Sequence, residues 1–344
     1  MKFGLFGGAR LGPAHPLGDS YNYRDFIAYV RDAEQLGFES IFLVEHHFTG
    51  SGQLSASLNL LSYLAACTTR MRLGTAVVVL PWHNPVLLAE QVATLDVLSG
   101  GRVDFGIGRG YRKVEFEQFC IPMEEAQERH NECLEVVLKA WTTPGRFSHH
   151  GKRWQYKNIV VEPAPLQQPH PPIWMAAGTP GGIGFVAASN YNLLLDQLAT
   201  VEEAAERMRI YLDGLAARGL PRDAGRVGVT RALHIIESEA ERARALERRR
   251  EVVKNIGELA RRPGAAPPSS YADTDAVADD AALIGTPEEI VEKLHTLAAR
   301  GIDYVLLSNA TPTRQSLEIF AEKIMPRVAR VPARAAAVPV AAAR

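Results

Sequence analysis

Three cysteines in 344 residues, Cys67, Cys120 and Cys133, are too few and too scattered for a disulfide framework or a thiolate metal site, so free thiols are expected. No run approaches the roughly 18 apolar residues that would cross a bilayer. The opening MKFGLFGGAR is also too short an apolar stretch for a secretory signal, so a cytoplasmic protein with no membrane partner is expected. Charge of neither sign dominates: 38 Lys and Arg face 39 Asp and Glu, a formal net charge of -1, which gives no electrostatic reason to expect a nucleic-acid partner. The one conspicuous charge run, Glu241 to Arg250, mixes signs with alanine and leucine and reads as the solvated face of a helix. Catalytic signatures are missing as well. There is no G-x-S-x-G for a serine nucleophile, no H-E-x-x-H and no clustered carboxylate set, so no metal is expected.

What is present is a core-sized supply of apolar residues, 47% of the chain, in alternating strand-like and helix-like runs. Strands are expected at Phe3 to Phe6, Ser40 to Val44, Leu73 to Leu80, Arg102 to Ile107, Pro172 to Ala176, Asn192 to Leu195, Val227 to Ile236 and Tyr304 to Ser308. Helices are expected between them, among them Tyr23 to Leu36, Ala56 to Ala66, Val86 to Leu98, Ala126 to Trp141, Gly181 to Ser189, Val201 to Leu215 and Glu237 to about Leu259. Another, Pro287 to Ala299, opens on a capping box of Thr286 and Glu289. Eight strand–helix pairs connected in one sense predict an α/β fold, a parallel (β/α)8 TIM barrel. A doubly wound sheet is the alternative, disfavoured by the strand count and the lack of a domain-like linker. One domain is expected over residues 1–330, with an excursion of one or two hairpins at 142–171, a mobile lid at 262–280 before the eighth strand, and a disordered tail at 331–344.

In such a barrel the site lies at the carboxyl ends of the strands. Glu45, His46 and His47 end the second strand there, and strand alternation puts only one of the two histidines toward the mouth. His149 and His150 fall in the excursion and are expected to touch solvent. After the fourth strand, Gly106-Ile107-Gly108-Arg109-Gly110-Tyr111 fails as a dinucleotide fingerprint because Tyr111 stands at the third glycine position. Its glycines let the backbone approach a flat ligand while Arg109 supplies a fixed cation for a phosphate. After the fifth strand, Gly178-Thr179-Pro180-Gly181-Gly182 reads as a helix start with Thr179 as N-cap, its hydroxyl and the amides of Gly181 and Gly182 aimed at one anion.

With these residues in hand, the chain resembles the bacterial luciferase-like flavin monooxygenases, and over residues 1–125 most of all the luciferase alpha subunit. The likeness runs through MKFGLF, GFESIFLVEHHFTG, RLGTAVVVLPWHNPVLLAEQVATLDVLSGGRVDFGIGRG, GTPEEIVEKL and GIDYVLLS. It implies His46 as the acid–base residue beside the flavin C4a centre, with Glu45 and His47 as its neighbours in the catalytic motif. It also implies Arg109, Gly178 and Thr179 on the flavin phosphate, and a cis peptide between Ala76 and Val77 under the ring. Gly108 stands where the luciferase subunit has a reactive cysteine, and Gln197 where it has tryptophan, departures that argue against light emission and a long-chain aldehyde substrate.

The function implied is that of a two-component monooxygenase. Reduced FMN from a separate NAD(P)H:flavin reductase would meet O2 as co-substrate, form a C4a-hydroperoxide and oxygenate a small organic, hydrophobic substrate, in a homodimer or heterodimer. Trp82, His83, Asp196 and Gln197 are candidates for the pocket wall. The alternatives are a coenzyme F420-dependent hydride-transfer oxidoreductase, for which the Glu-His-His motif is the less fitting pattern, and a non-catalytic flavin-binding subunit.

Overall fold

The computed structural model describes residues 1–9, 19–48, 54–260, 274–309 and 313–328. In chain order the elements are β1 (Lys2–Gly7), α1 (Asp19–Gln35), β2 (Ser40–Leu43), α2 (Ser57–Cys67), β3 (Arg72–Thr75), β4 (Val78–Val79), α3 (Pro85–Ser99), β5 (Val103–Gly108), α4 (Lys113–Gln118) and α5 (Ala126–Thr142). Then follow β6 (Phe147–His150), β7 (Gln155–Ile159), β8 (Ile173–Ala176), α6 (Pro180–Ala188), β9 (Asn192–Leu195), α7 (Val201–Ala216), β10 (Val227–Ile235) and α8 (Glu239–Ala260). The last are α9 (Asp275–Asp280), β11 (Ala282–Gly285), α10 (Pro287–Ala299), β12 (Tyr304–Asn309), α11 (Arg314–Ile319) and α12 (Met325–Val328).

Parallel pairing runs β1-β2-β3-β5-β8-β9-β10-β12 and returns to β1, so the sheet closes as the expected (β/α)8 barrel. Strand alternation sorts two cores. The outer core packs Phe3, Leu5, Ile41, Leu73, Phe105 and Val229 against the helices, while Phe42, Trp174, Leu194, Tyr304 and Leu306 fill the barrel interior. Inside, Phe42 meets Trp174 edge to face at 5.3 Å. Helix starts follow their caps: Asn84 accepts from the Val86 amide, and the Thr286–Glu289 capping box forms. Each such cap stabilises its helix by about 1 kcal/mol.

Three features depart from expectation. The run Leu73 to Leu80 is not one strand: the chain breaks between β3 and β4 at Ala76 and Val77, which are joined by the cis peptide that the resemblance implied. Leu73 pairs with Val103 but Val78 with Ile107, so the register against β5 slips by one across the break. Second, part of the segment expected as a lid, 274–280, holds α9, which leads into the unexpected strand β11; residues 261–273 lie outside the described set, as does the tail from 329. Ala232 and Leu233 pair with both β11 and β12, so β11 continues the β9 side of β10 above the point where β9 ends. Third, two surface expectations fail. Of the two histidines in the excursion, which forms the β6–β7 hairpin, His149 is buried beside Glu132 and His150 is exposed. In the charge run on α8, Arg249 is buried.

Candidate active site

Sequence alternation sets the floor of the barrel mouth. Above the interior cluster the next inward layer includes Phe6, Ala76 and Val77, which are partly exposed. Gly106 and Gly108 share this face of β5, and each is needed for close approach. A Cβ on Gly106 would overlap the Thr75 carbonyl oxygen, and one on Gly108 would overlap the Val77 side chain. Thr75 locks the same spot, donating from Oγ1 to the Gly106 carbonyl at 2.7 Å and accepting from the Gly106 amide at 2.9 Å. The glycine pattern therefore serves packing against the β3–β4 break. Ala176 is exposed at the end of β8, so this floor combines the small residues Ala76, Gly106, Gly108 and Ala176 with the larger Phe6 and Val77.

Glu45, His46 and His47 lie past the end of β2, so strand alternation does not separate the histidines: both rings are similarly exposed, 17% and 18%. Glu45 is not at the mouth as expected. It is buried, its Oε1 accepting from His47 Nε2 at 3.0 Å, His83 Nε2 at 3.0 Å and Trp82 Nε1 at 3.1 Å, and its Oε2 from the Val79 amide at 3.1 Å. Burial opposes ionisation, yet the hydrogen bonds from His47, His83 and Trp82 outweigh it and hold the carboxyl at about 2. Trp82 and His83, expected as pocket wall, are thus partners of Glu45, and Phe119 packs on both His47 and Trp82.

His46 is tied instead to a residue that sequence reasoning missed. Its Nδ1 donates to Glu115 Oε1 at 3.1 Å, and the same oxygen accepts from the His47 amide at 2.9 Å. Because a carboxylate can only accept, Nδ1 carries the hydrogen and Nε2 is left as the acceptor, without a partner among the described residues. Burial lowers the His46 titration, the Glu115 hydrogen bond raises it and Arg112 lowers it, with a net fall, so the ring is neutral at pH 7. Tyr111 stands edge-on at 6.3 Å. Glu115 sits on α4, a short helix with no periodic or cap signature in the sequence, which is why nothing marked it.

The groups expected to hold an anion lie at the strand ends beside this floor. β5 pairs with β8, Ile107 opposite Met175, which brings Arg109 and the Gly178–Gly182 turn to neighbouring positions. Arg109 donates to Gln127 Oε1 at 3.2 Å, and Gln127 donates on to Asn131 at 2.9 Å. Thr179 caps α6, but its Oγ1 accepts from the Gly182 amide at 3.3 Å, so that amide is engaged and only Gly181 matches the expected free donor. Arg207, not anticipated, lies beside Gly178 and pairs with Asp196 at 2.9 Å. Asp196 and Gln197 are near this rim, the first also accepting from the Leu198 and Ala199 amides, the second from Arg249. Cys67, Cys120 and Cys133 are free, and burial with nearby Glu132 pushes the Cys133 thiol up to about 12. Among the described residues no helix is long and apolar enough to cross a membrane.

Comparison with known proteins adds to this geometry. A family model described as luciferase-like monooxygenase matches residues 1–304. The FMNH(2)-dependent dimethylsulfone monooxygenase of Pseudomonas putida is 30% identical over 318 residues, 86% of this chain and 85% of that protein. The oxygenase component of the flavin-dependent trigonelline monooxygenase of Acinetobacter baylyi is 29% identical over 219 residues, 63% of this chain and 60% of that one. Several matches span only 50 to 60% of the relatives' own length. The crystal structure of monooxygenase RslO1 from Streptomyces bottropensis superposes with a TM-score of 0.81 at 26% identity, covering 95% of this chain and 99% of that one.

Proposed function

The chain belongs to the luciferase-like monooxygenase family of flavin-dependent oxidoreductases, and on that premise we propose that it is the oxygenase of a two-component system, using reduced FMN delivered by a separate flavin reductase to insert oxygen from O2 into a small organic substrate. The observation that carries this reading is His46: a neutral imidazole, its Nδ1 hydrogen committed to Glu115 and its Nε2 lone pair open, beside a floor of small residues. The residues fit the cofactor. Ala76, Gly108 and Ala176 are small residues at the floor, with Val77 packed against Gly108, and Arg109, Thr179 and the Gly181 amide stand one strand away, where a phosphate tail would end.

Reduced flavin, when bound, supplies the electrons that activate dioxygen. His46 takes and returns a proton through Nε2, while Glu115 fixes the ring's tautomer and plane. Glu45 touches no reacting atom in this reading. It is a positioning residue, holding His47, Trp82 and His83 in one block beneath the catalytic loop. Exposed Tyr63, Leu87 and Leu98 on α2 and α3 support a dimer.

The test is reconstitution with an NADH:FMN reductase under labelled O2, scoring label in a panel of organic substrates by mass spectrometry. Incorporation that His46→Ala abolishes supports the reading. Tight binding of reduced coenzyme F420 with no oxygen uptake, or undiminished incorporation by His46→Ala, refutes it.

A further inference from the structure

The mouth has a second cationic side, on β9, β10 and α8, that holding a flavin phosphate does not require. Arg249 on α8 is 2% exposed; it donates to Gln197 Oε1 at 3.0 Å and to the Gln197 carbonyl. Arg231 on β10 is fully buried and donates to the carbonyls of Thr230 at 3.0 Å and Thr200 at 3.5 Å. The Nε of each guanidinium is buried with no acceptor, and no carboxylate pairs with either among the described residues. Asp196 is spent on Arg207 and on the Leu198 and Ala199 amides, and Asp280 accepts from the Val201 amide at 2.7 Å.

Two desolvated cations held only by neutral carbonyl oxygens are costly unless an anion completes the site. The cost is visible in their titrations. Burial and the neighbouring Arg231 push Arg249 down to about 10, burial does the same to Arg231 against the pull of Asp196, and burial with Arg248 and Arg249 takes His234 to about 4. Arg249 is on the mouth side, whereas Arg231 is on the opposite face of β10, with Val229 and Leu233 of the outer core. Gln197 follows β9, whose Leu194 shares the interior cluster with Ala76 and Val77, and α8 packs Ala245 and Leu246 over Ala232 and Ile284. His234, two residues past Ala232 on β10, lies on the same inward face.

We propose that this wall binds the acid group of the oxygenation substrate, so that the substrate is a small organic carboxylate whose oxyanion is taken by Arg249 in place of the Gln197 oxygens, its remainder reaching across the floor toward His46. This rests on the monooxygenase reading and names the substrate class within it. A guanidinium fork matches a planar carboxylate with two parallel hydrogen bonds, which a neutral ester cannot accept with the same strength.

The experiment is calorimetry of the FMN-loaded full chain with matched probes: benzoate, phenylacetate and hexanoate, each against its methyl ester. The acids are expected to bind about tenfold or more tightly than the esters. Arg249→Met is expected to weaken the acids by about tenfold to a hundredfold, the range of one or two charge-assisted hydrogen bonds, while ester and FMN affinities stay put; Arg249→Lys should fall between. The wild-type comparison of acid with ester stands even if a variant folds poorly. Equal binding of acids and esters overturns the assignment. So does an Arg249→Met protein that loses affinity for FMN but not for riboflavin, because the cation then serves the cofactor's phosphate. Failure of the flavin reading shows separately, as a wild-type chain that does not retain FMN, and removes the substrate assignment with it.

Discussion

Replacing Glu115 with glutamine keeps the side chain's size but removes its charge, including its 3.9 Å ion pair with buried Arg112. Glu115 Oε1 accepts both the His46 Nδ1 hydrogen and the His47 amide, and a glutamine side chain placing its carbonyl oxygen there keeps both bonds. What is lost is the charge assistance. A hydrogen bond to a carboxylate contributes about 1 kcal/mol more than one to a neutral carbonyl, and 1.36 kcal/mol corresponds to one pH unit, so the His46 titration should move by roughly 0.7. The direction follows from the opposing influences on this ring: burial and Arg112 lower it, Glu115 raises it, so removing the anion lowers it further. If neutral His46 is the working base, activity is present above its titration and lost as pH falls through it. The acid limb of the pH profile of kcat should therefore shift toward lower pH in Glu115→Gln. The assay is label incorporation or coupled NADH oxidation from pH 5 to 9, with the His46 ring nitrogens followed by NMR to read the tautomer directly. An acid limb that stays in place or moves upward, with the ring still a Nδ1–H tautomer, would refute the assignment of His46 as the base and of Glu115 as its partner.

Further outcomes follow from the same geometry. Glu45 is held at about 2, well below its ordinary value, which amounts to about 3 kcal/mol of stability that is fully present above the unfolded-state titration and lost as pH falls toward 2; Glu45→Gln should lower the melting temperature at pH 7 yet soften the drop in stability below pH 4.5, and parallel pH curves for the two proteins would contradict this. Gly106→Ala forces a methyl into the Thr75 carbonyl, a backbone clash that should cost roughly 3 kcal/mol or more in urea unfolding; an unchanged midpoint would mean the β3–β4 break is not held where described. Arg109→Ala should weaken FMN by roughly tenfold to a hundredfold while leaving riboflavin unaffected in fluorescence titrations; equal losses for both would place the phosphate elsewhere.

Much of the fold was legible because it is local. The β-branched and apolar runs of β1, β2, β5, β8, β9, β10 and β12, and the caps at Thr179 and Thr286, depend on spacing within a few residues, and those elements lie within a residue or two of where the pattern puts them. The barrel follows from their strict alternation, and the mouth follows from the barrel, so residue order alone puts Arg109 and the Gly178 turn at one rim. Three things resisted. β11 was hidden because Ala282–Gly285 is four residues long and borders a proline-rich stretch, so no period could establish itself. The break between β3 and β4 falls at Ala76 and Val77, inside an apolar, β-branched run with no turn residue at the break to mark it. The buried state of His149 and Arg249 depends on what packs over them, which composition along the chain does not encode.

The site divides in the same way. That histidines stand at the end of β2 and glycines at the end of β5 is written in residue order, because both belong to short motifs. Which carboxylate holds which histidine was decided only when α4 carried Glu115 to within 3.1 Å of His46, a contact spanning 69 residues, and when Trp82 and His83 closed on Glu45 from the other side. Local sequence sets which groups are available at the ends of strands. Long-range packing sets their partners, and it is the partner that gives a buried side chain its charge and its direction.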